Sequence, residues 1–115
     1  MVDNYSSAFI LRACSAADSK KAQDIKVLDL RGISPIADYF IICSGKSVIQ
    51  VKAIADEIEG KLVESGYVLN HKEGYDSGRW VLLDFGSVII HVFHNEDRDF
   101  YNLERLWADA EVINI

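Results

Sequence analysis

Residues 38–47 read D-Y-F-I-I-C-S-G-K-S, and this stretch decides the fold. Asp38 to Cys43 is a run of aromatic and β-branched residues without alternation. A strand with one wet face alternates apolar and polar residues. A continuous run signals a strand covered on both faces, at the centre of a sheet. The run leaves through Ser44-Gly45 into a helix whose start is well marked. Ser47 followed three residues later by Gln50 makes a capping box, in which hydroxyl and amide each satisfy a backbone donor left open by the first turn. Val51, Ile54, Ala55, Ile58 and Leu62 then form one apolar stripe, with Asp56, Glu57, Lys61 and Glu64 off it. Gly66 supplies the left-handed stop.

Upstream of this unit, Ser6 to Gln23 is rich in alanine, with Phe9, Ile10, Ala13, Cys14 and Ala17 at helical spacing. Lys20 and Lys21 stand near its end, where positive charge suits the negative pole of a helix. A short strand is expected at Lys26–Leu30, ended by Gly32, and Ser34-Pro35 marks a turn. Downstream, Tyr67–Asn70 is a candidate strand, followed by a polar loop from Glu73 to Gly78. Arg79–Asp84 and Val88–His94 are clearer strands joined by a hairpin at Phe85-Gly86-Ser87. A last helix opens at Asn95 or Asp97 and aligns Phe100, Leu103, Trp107 and Ala110. The expected order is α-β-β-α-β-β-β-α. That is an α/β fold in a single domain, a small mixed sheet with helices packed on it, its core spanning residues 26–110 behind an N-terminal helix at 6–23.

The chain has 115 residues and a net charge of −6, enough for one domain of ordinary globular composition. The charge is unevenly placed. Residues 67–115 hold 9 acids against 4 bases, whereas residues 1–66 are nearly balanced. Such a surplus argues against a nucleic-acid binder that works by neutralising phosphates, and points to a basic partner for the C-terminal half. Cys14 and Cys43 are far apart and form no C-x-x-C pair, so both read as small buried hydrophobes. Met1 to Ser7 lacks the positive charge of a signal peptide, and no apolar stretch approaches the ~20 residues that span a bilayer. The expectation is a cytoplasmic protein.

Residue spacing bears on several chemistries. Gly45-Lys46-Ser47, between strand and helix, resembles the end of a phosphate-binding loop, but a Walker sequence needs glycine where this chain has Phe40. A small nucleotidyltransferase needs two acids at alternate positions of the next strand to share a metal. Asp84 stands there alone, because Leu82 occupies the matching place. His91 and His94 lie three apart on a strand and should face opposite sides, and His71 is remote. No cofactor or metal is expected. What a core does not need is a set of bulky and charged residues: Trp80, on one strand face with Leu82 and Asp84, and Tyr101, Glu104 and Arg105, off the stripe of the last helix. Trp, Tyr and Arg are the residue types that anchor protein interfaces.

Three blocks taken together, S-P-I-A-D-Y-F-I-I-C-S-G-K-S, E-G-Y-D-S-G-R-W-V-L-L-D-F-G-S-V-I-I-H-V-F and R-D-F-Y-N-L-E-R-L-W-A-D-A, resemble the Iojap family, which includes the bacterial ribosomal silencing factors (RsfS). The resemblance implies a nucleotidyltransferase-like fold without the catalytic acids, and no enzymatic activity. It implies binding to a basic ribosomal protein on the subunit-joining face of the large ribosomal subunit, with little or no direct contact to nucleic acid. Docking of the small subunit would then be blocked and translation repressed when nutrients are scarce. Members are often homodimers when free. Carried over by position, Asp38, Gly45, Ser47, His91, Arg98 and Leu103 are expected to support the fold. Trp80, Asp84, Tyr101, Glu104 and Arg105 are expected at the partner. The alternatives are a metal-dependent nucleotidyltransferase-like enzyme and a structural homodimer module.

Overall fold

In the computed structural model, which describes the backbone of residues 4–101 and 110–113 and the side chains of residues 7–98 and 110–113, the elements are α1 (Asn4–Ser19), β1 (Gln23–Asp29), β2 (Tyr39–Gly45), α2 (Val48–Glu64), β3 (His71–Glu73), β4 (Trp80–Asp84), β5 (Val88–His94), α3 (Asn95–Tyr101) and β6 (Glu111–Ile113). The strands form one mixed sheet in the order β3-β4-β5-β2-β1-β6. β2 lies inside it, parallel to β5 and antiparallel to β1, and all seven of its residues are buried. The absence of alternation is accounted for by two cores. Tyr39, Ile41 and Cys43 join the cluster under α1 and α2, while Phe40 and Ile42 join a second cluster on the other face.

The helical face is packed by Phe9, Ile10, Ala13 and Ala17 of α1 and by Val51, Ile54, Ala55, Ile58 and Leu62 of α2, the expected stripe. Each fully buried isoleucine or leucine there stabilises the fold by roughly 1.5–3 kcal/mol relative to exposure. The second face is built from Leu28, Leu30, Phe40, Ile42, Ile89 and Phe93, with Trp80, Leu82 and Ala110 partly buried against it. β4 and β5 therefore alternate between two apolar layers, with Val81, Leu83, Ile90 and Val92 facing the helices.

Three elements differ most from the sequence reading. α1 stops at Ser19, short of Gln23, because the chain turns through Lys21 at φ 63° and Asp24 at φ 50°. Lys20 and Lys21 thus lie in the turn beyond the helix, closed by Ala22 N–H donating to the Ala17 carbonyl at 3.0 Å. β1 begins earlier and carries a bulge between Gln23 and Lys26. The third short strand is His71–Glu73 rather than Tyr67–Asn70. Tyr67 instead donates its N–H to the Leu62 carbonyl and Gly66 to that of Val63, a Schellman closure of α2, with Gly66 at φ 96°. β6, pairing with β1 at the sheet edge, is an additional strand beyond the expected order. Of the last helix, the backbone through Tyr101 is described; the side chains of Phe100 and Tyr101, and Leu103, Glu104, Arg105 and Trp107, lie outside the described residues.

Candidate protein-binding face

The β2–α2 junction is built as a strand exit and a helix cap. Ser47 Oγ accepts from Gln50 N–H at 3.0 Å, the expected half of the capping box. The Gln50 amide reaches one residue further back than expected: Oε1 accepts from Lys46 N–H at 2.7 Å, and Nε2 donates to the carbonyls of Lys20 and Lys21. Gln50 thereby ties α2 to the turn after α1. A Cβ on Gly45 would lie 3.3 Å from Gln50, Val51 and Ile54 atoms, so glycine here serves close packing. Two donors that an anion would use at this helix start are already taken by side chains.

The other motif residues divide by what they touch. Arg98 is buried, and its Nη1 donates to the Asp24 carbonyl at 2.7 Å, with Gln23 O at 3.4 Å and Ser44 Oγ at 3.3 Å. A helix that follows β5 is thus stapled to the β1 bulge. Asp38 is exposed at its side chain and works through its backbone, N–H to Ser87 O and carbonyl to Leu30 N–H. Asp84 Oδ1 accepts from Gly86 N–H at 2.7 Å, holding the hairpin turn where Gly86 adopts φ 90°. On the face it shares with Trp80 and Leu82, Asp84 is the one acid that β4 offers.

His91 and His94 go to different partners. His94 Nδ1 accepts from Glu96 N–H at 3.3 Å at the start of α3. His91 is buried in the second cluster, where its Nδ1 accepts the indole N–H of Trp80 at 3.0 Å. Burial pushes the His91 pKa down to about 4, so the ring is neutral at neutral pH. Among the described residues no group of three or more His, Cys, Asp or Glu side chains is placed to hold a metal ion. Cys14 is half-buried and Cys43 fully buried; burial lifts their pKa values to about 11 and about 12, which leaves both thiols protonated.

Trp80 is half-buried on the second face. Its ring stacks on Phe93 with centroids 4.9 Å apart and planes 25° from parallel. Ahead of it, Gly74 and Gly78 take φ 79° and 66°; a Cβ on Gly74 would come against the Trp80 carbonyl. Arg79 forks onto Asp97, Nε to Oδ2 at 3.0 Å and Nη2 to Oδ1 at 2.7 Å, joining β4 to α3. This pair holds the Asp97 carboxyl below the usual carboxylate range, through its hydrogen bonds to Arg79. Sequence reasoning missed the fork, along with the roles of Phe93 and Phe40. Opposite charges at 79 and 97 were visible, but nothing marked them as neighbours.

A family model described as "Ribosomal silencing factor during starvation" matches residues 4–115. The chain belongs to this family of ribosomal silencing factors. A ribosomal silencing factor of Bacillus subtilis is 50% identical over 103 residues, covering 90% of this chain and 87% of that one. The chloroplastic Iojap protein of Arabidopsis thaliana is 35% identical over 113 residues, 98% of this chain and 47% of that longer protein. Two crystal structures share the fold. One, from Chromobacterium violaceum, has a TM-score of 0.86 at 36% identity and covers 89% of this chain and 85% of that one. The other, from Bacillus halodurans, has a TM-score of 0.85 at 41% identity and covers 95% and 99%. Silencing factors are named for a regulatory role rather than for catalysis. Among the described residues of this member, no helix is long and apolar enough to cross a membrane.

Proposed function

We propose that the chain docks on a basic ribosomal protein at the subunit-joining face of the large ribosomal subunit. By occupying that place it keeps the small subunit from joining and represses translation when nutrients are limiting. The ribosomal setting comes from the names of its relatives. The observation that carries the docking mode is Trp80, held on the second sheet face by Phe93 and His91, in a half of the chain with 9 acids against 4 bases.

In this reading Trp80 and Tyr101 anchor the contact and Arg105 contributes to it, because large aromatic and guanidinium groups carry most interface energy. Asp84 and Glu104 complement the partner's Lys and Arg, which speeds encounter and makes it salt-dependent. No bond is made or broken. The quantities that matter are occupancy and residence time over a contact of roughly 1,200–2,000 Å².

Co-sedimentation with separated ribosomal subunits at low and high salt tests this directly. The chain should travel with the large subunit and leave it progressively as salt rises. Binding to the small subunit alone would overturn the reading.

A further inference from the structure

A histidine is an odd choice for the second sheet face. His91 sits across from Leu82 on β4 and Ile42 on β2, with Phe40 edge-on at 4.6 Å and Phe93 two residues along its own strand. Because Nδ1 accepts from the Trp80 indole, the ring hydrogen must be on Nε2. That nitrogen is buried and has no hydrogen-bond partner among the described residues. A leucine or phenylalanine in the same place would bring no unsatisfied Nε2–H, so packing of this face does not by itself account for an imidazole. What the imidazole supplies, and an apolar side chain would not, is an acceptor aimed at the indole N–H.

We propose that His91 is a positioning residue for Trp80, holding the indole in one orientation on Phe93 so that it meets the partner already ordered. The inference rests on the reading that Trp80 contacts the partner. Its physical content is preorganisation: a side chain held before encounter loses less freedom on binding, and the complex dissociates more slowly. Among the described residues two restraints act on the indole at once, the Phe93 ring beneath it and the Nδ1 acceptor at its nitrogen. The imidazole is itself confined by burial and by Phe40, so it transmits no slack.

The test compares His91→Phe, which keeps a buried aromatic ring, with His91→Asn, whose amide oxygen can stand near the place of Nδ1. Dissociation from large ribosomal subunits and hydrogen exchange of the Trp80 indole are both read. His91→Phe should release the subunit about fivefold faster, the worth of one ordinary hydrogen bond, and should exchange its indole hydrogen faster. His91→Asn should restore both toward the unsubstituted chain. Unchanged dissociation in His91→Phe overturns the inference, as do equal losses in both variants with indole exchange unaltered. If Trp80→Ala leaves binding intact, the underlying docking reading fails; if Trp80→Ala weakens it and His91→Phe does not, only the positioning role fails. Should the substitutions unfold the chain, imidazole nitrogen shifts of the unsubstituted protein decide: an Nε2–H tautomer with Nδ1 accepting is required, and an Nδ1–H tautomer contradicts the inference.

Discussion

Nη1 of Arg98 donates to the carbonyl oxygen of Asp24 at 2.7 Å, joining the start of α3 to the β1 bulge across 74 residues of chain. The bulge turns carbonyls away from the ladder, and a buried guanidinium meets them. Replacing Arg98 by Met removes the donor to the Asp24 carbonyl and to Ser44 Oγ, while the Gln23 carbonyl keeps the Ser44 hydroxyl as donor at 3.3 Å. A loss of about 3 kcal/mol in unfolding free energy is expected from charged hydrogen bonds of this kind. Denaturant titration checks it, and a loss below about 1 kcal/mol would mean that Arg98 is not a staple.

Two glycines should respond in opposite directions to alanine. A Cβ at Gly74 runs into the Trp80 carbonyl while the backbone holds φ 79°, so Gly74→Ala should destabilise by more than about 1 kcal/mol and disturb Trp80. Gly60 lies exposed inside α2 with nothing within 4 Å of its Cβ position. Gly60→Ala should stabilise by about 0.5–1 kcal/mol through helix propensity alone. Thermal melts of the two variants beside the unsubstituted chain are sufficient, and equal shifts would contradict the backbone assignment at Gly74.

Acid should weaken the fold before the carboxylates protonate. His91 titrates near 4 when folded and near its ordinary value of 6.5 when unfolded. The unfolded chain therefore binds the extra proton between these values, so the His91 contribution is complete above pH 6.5 and is lost as pH falls toward 4. The expected decline is about 2 kcal/mol between pH 7 and pH 5. In His91→Phe the slope over this window should flatten; a slope unchanged by the substitution would place its origin elsewhere.

Asp84 has two assignments that one substitution separates. Its Oδ1 caps the hairpin at Gly86, and its charge is proposed to face a basic partner. Asp84→Asn keeps the acceptor and removes the charge. Stability should change little, while the salt dependence of large-subunit binding becomes shallower. Loss of stability with unaltered salt dependence would assign Asp84 to the turn alone.

Legibility in the sequence followed the origin of each signal. β2 and α2 were readable because burial itself writes their patterns, seven buried positions in one and a five-residue stripe in the other. β3 and β6 are three-residue edge strands that exist by pairing with β4 and β1, so their own residues carry little pattern. The end of α1 was misplaced because Lys21 and Asp24 take positive φ without a glycine to announce it. Alternation puts Trp80, Leu82 and Asp84 on one face, but His91 and Phe93, which hold Trp80, lie on β5, and strand register is not written in either strand. Arg98 entered the reading only through the family resemblance, since its partners lie on β1 and β2.

The central claim is exclusion of the small subunit, and the most direct measurement is subunit joining followed by light scattering. Large subunits are incubated with increasing amounts of the chain before small subunits are added. Joining should fall in proportion to occupancy of the large subunit, and Trp80→Ala should shift the inhibition to higher concentration. Undiminished joining at full occupancy would contradict the account.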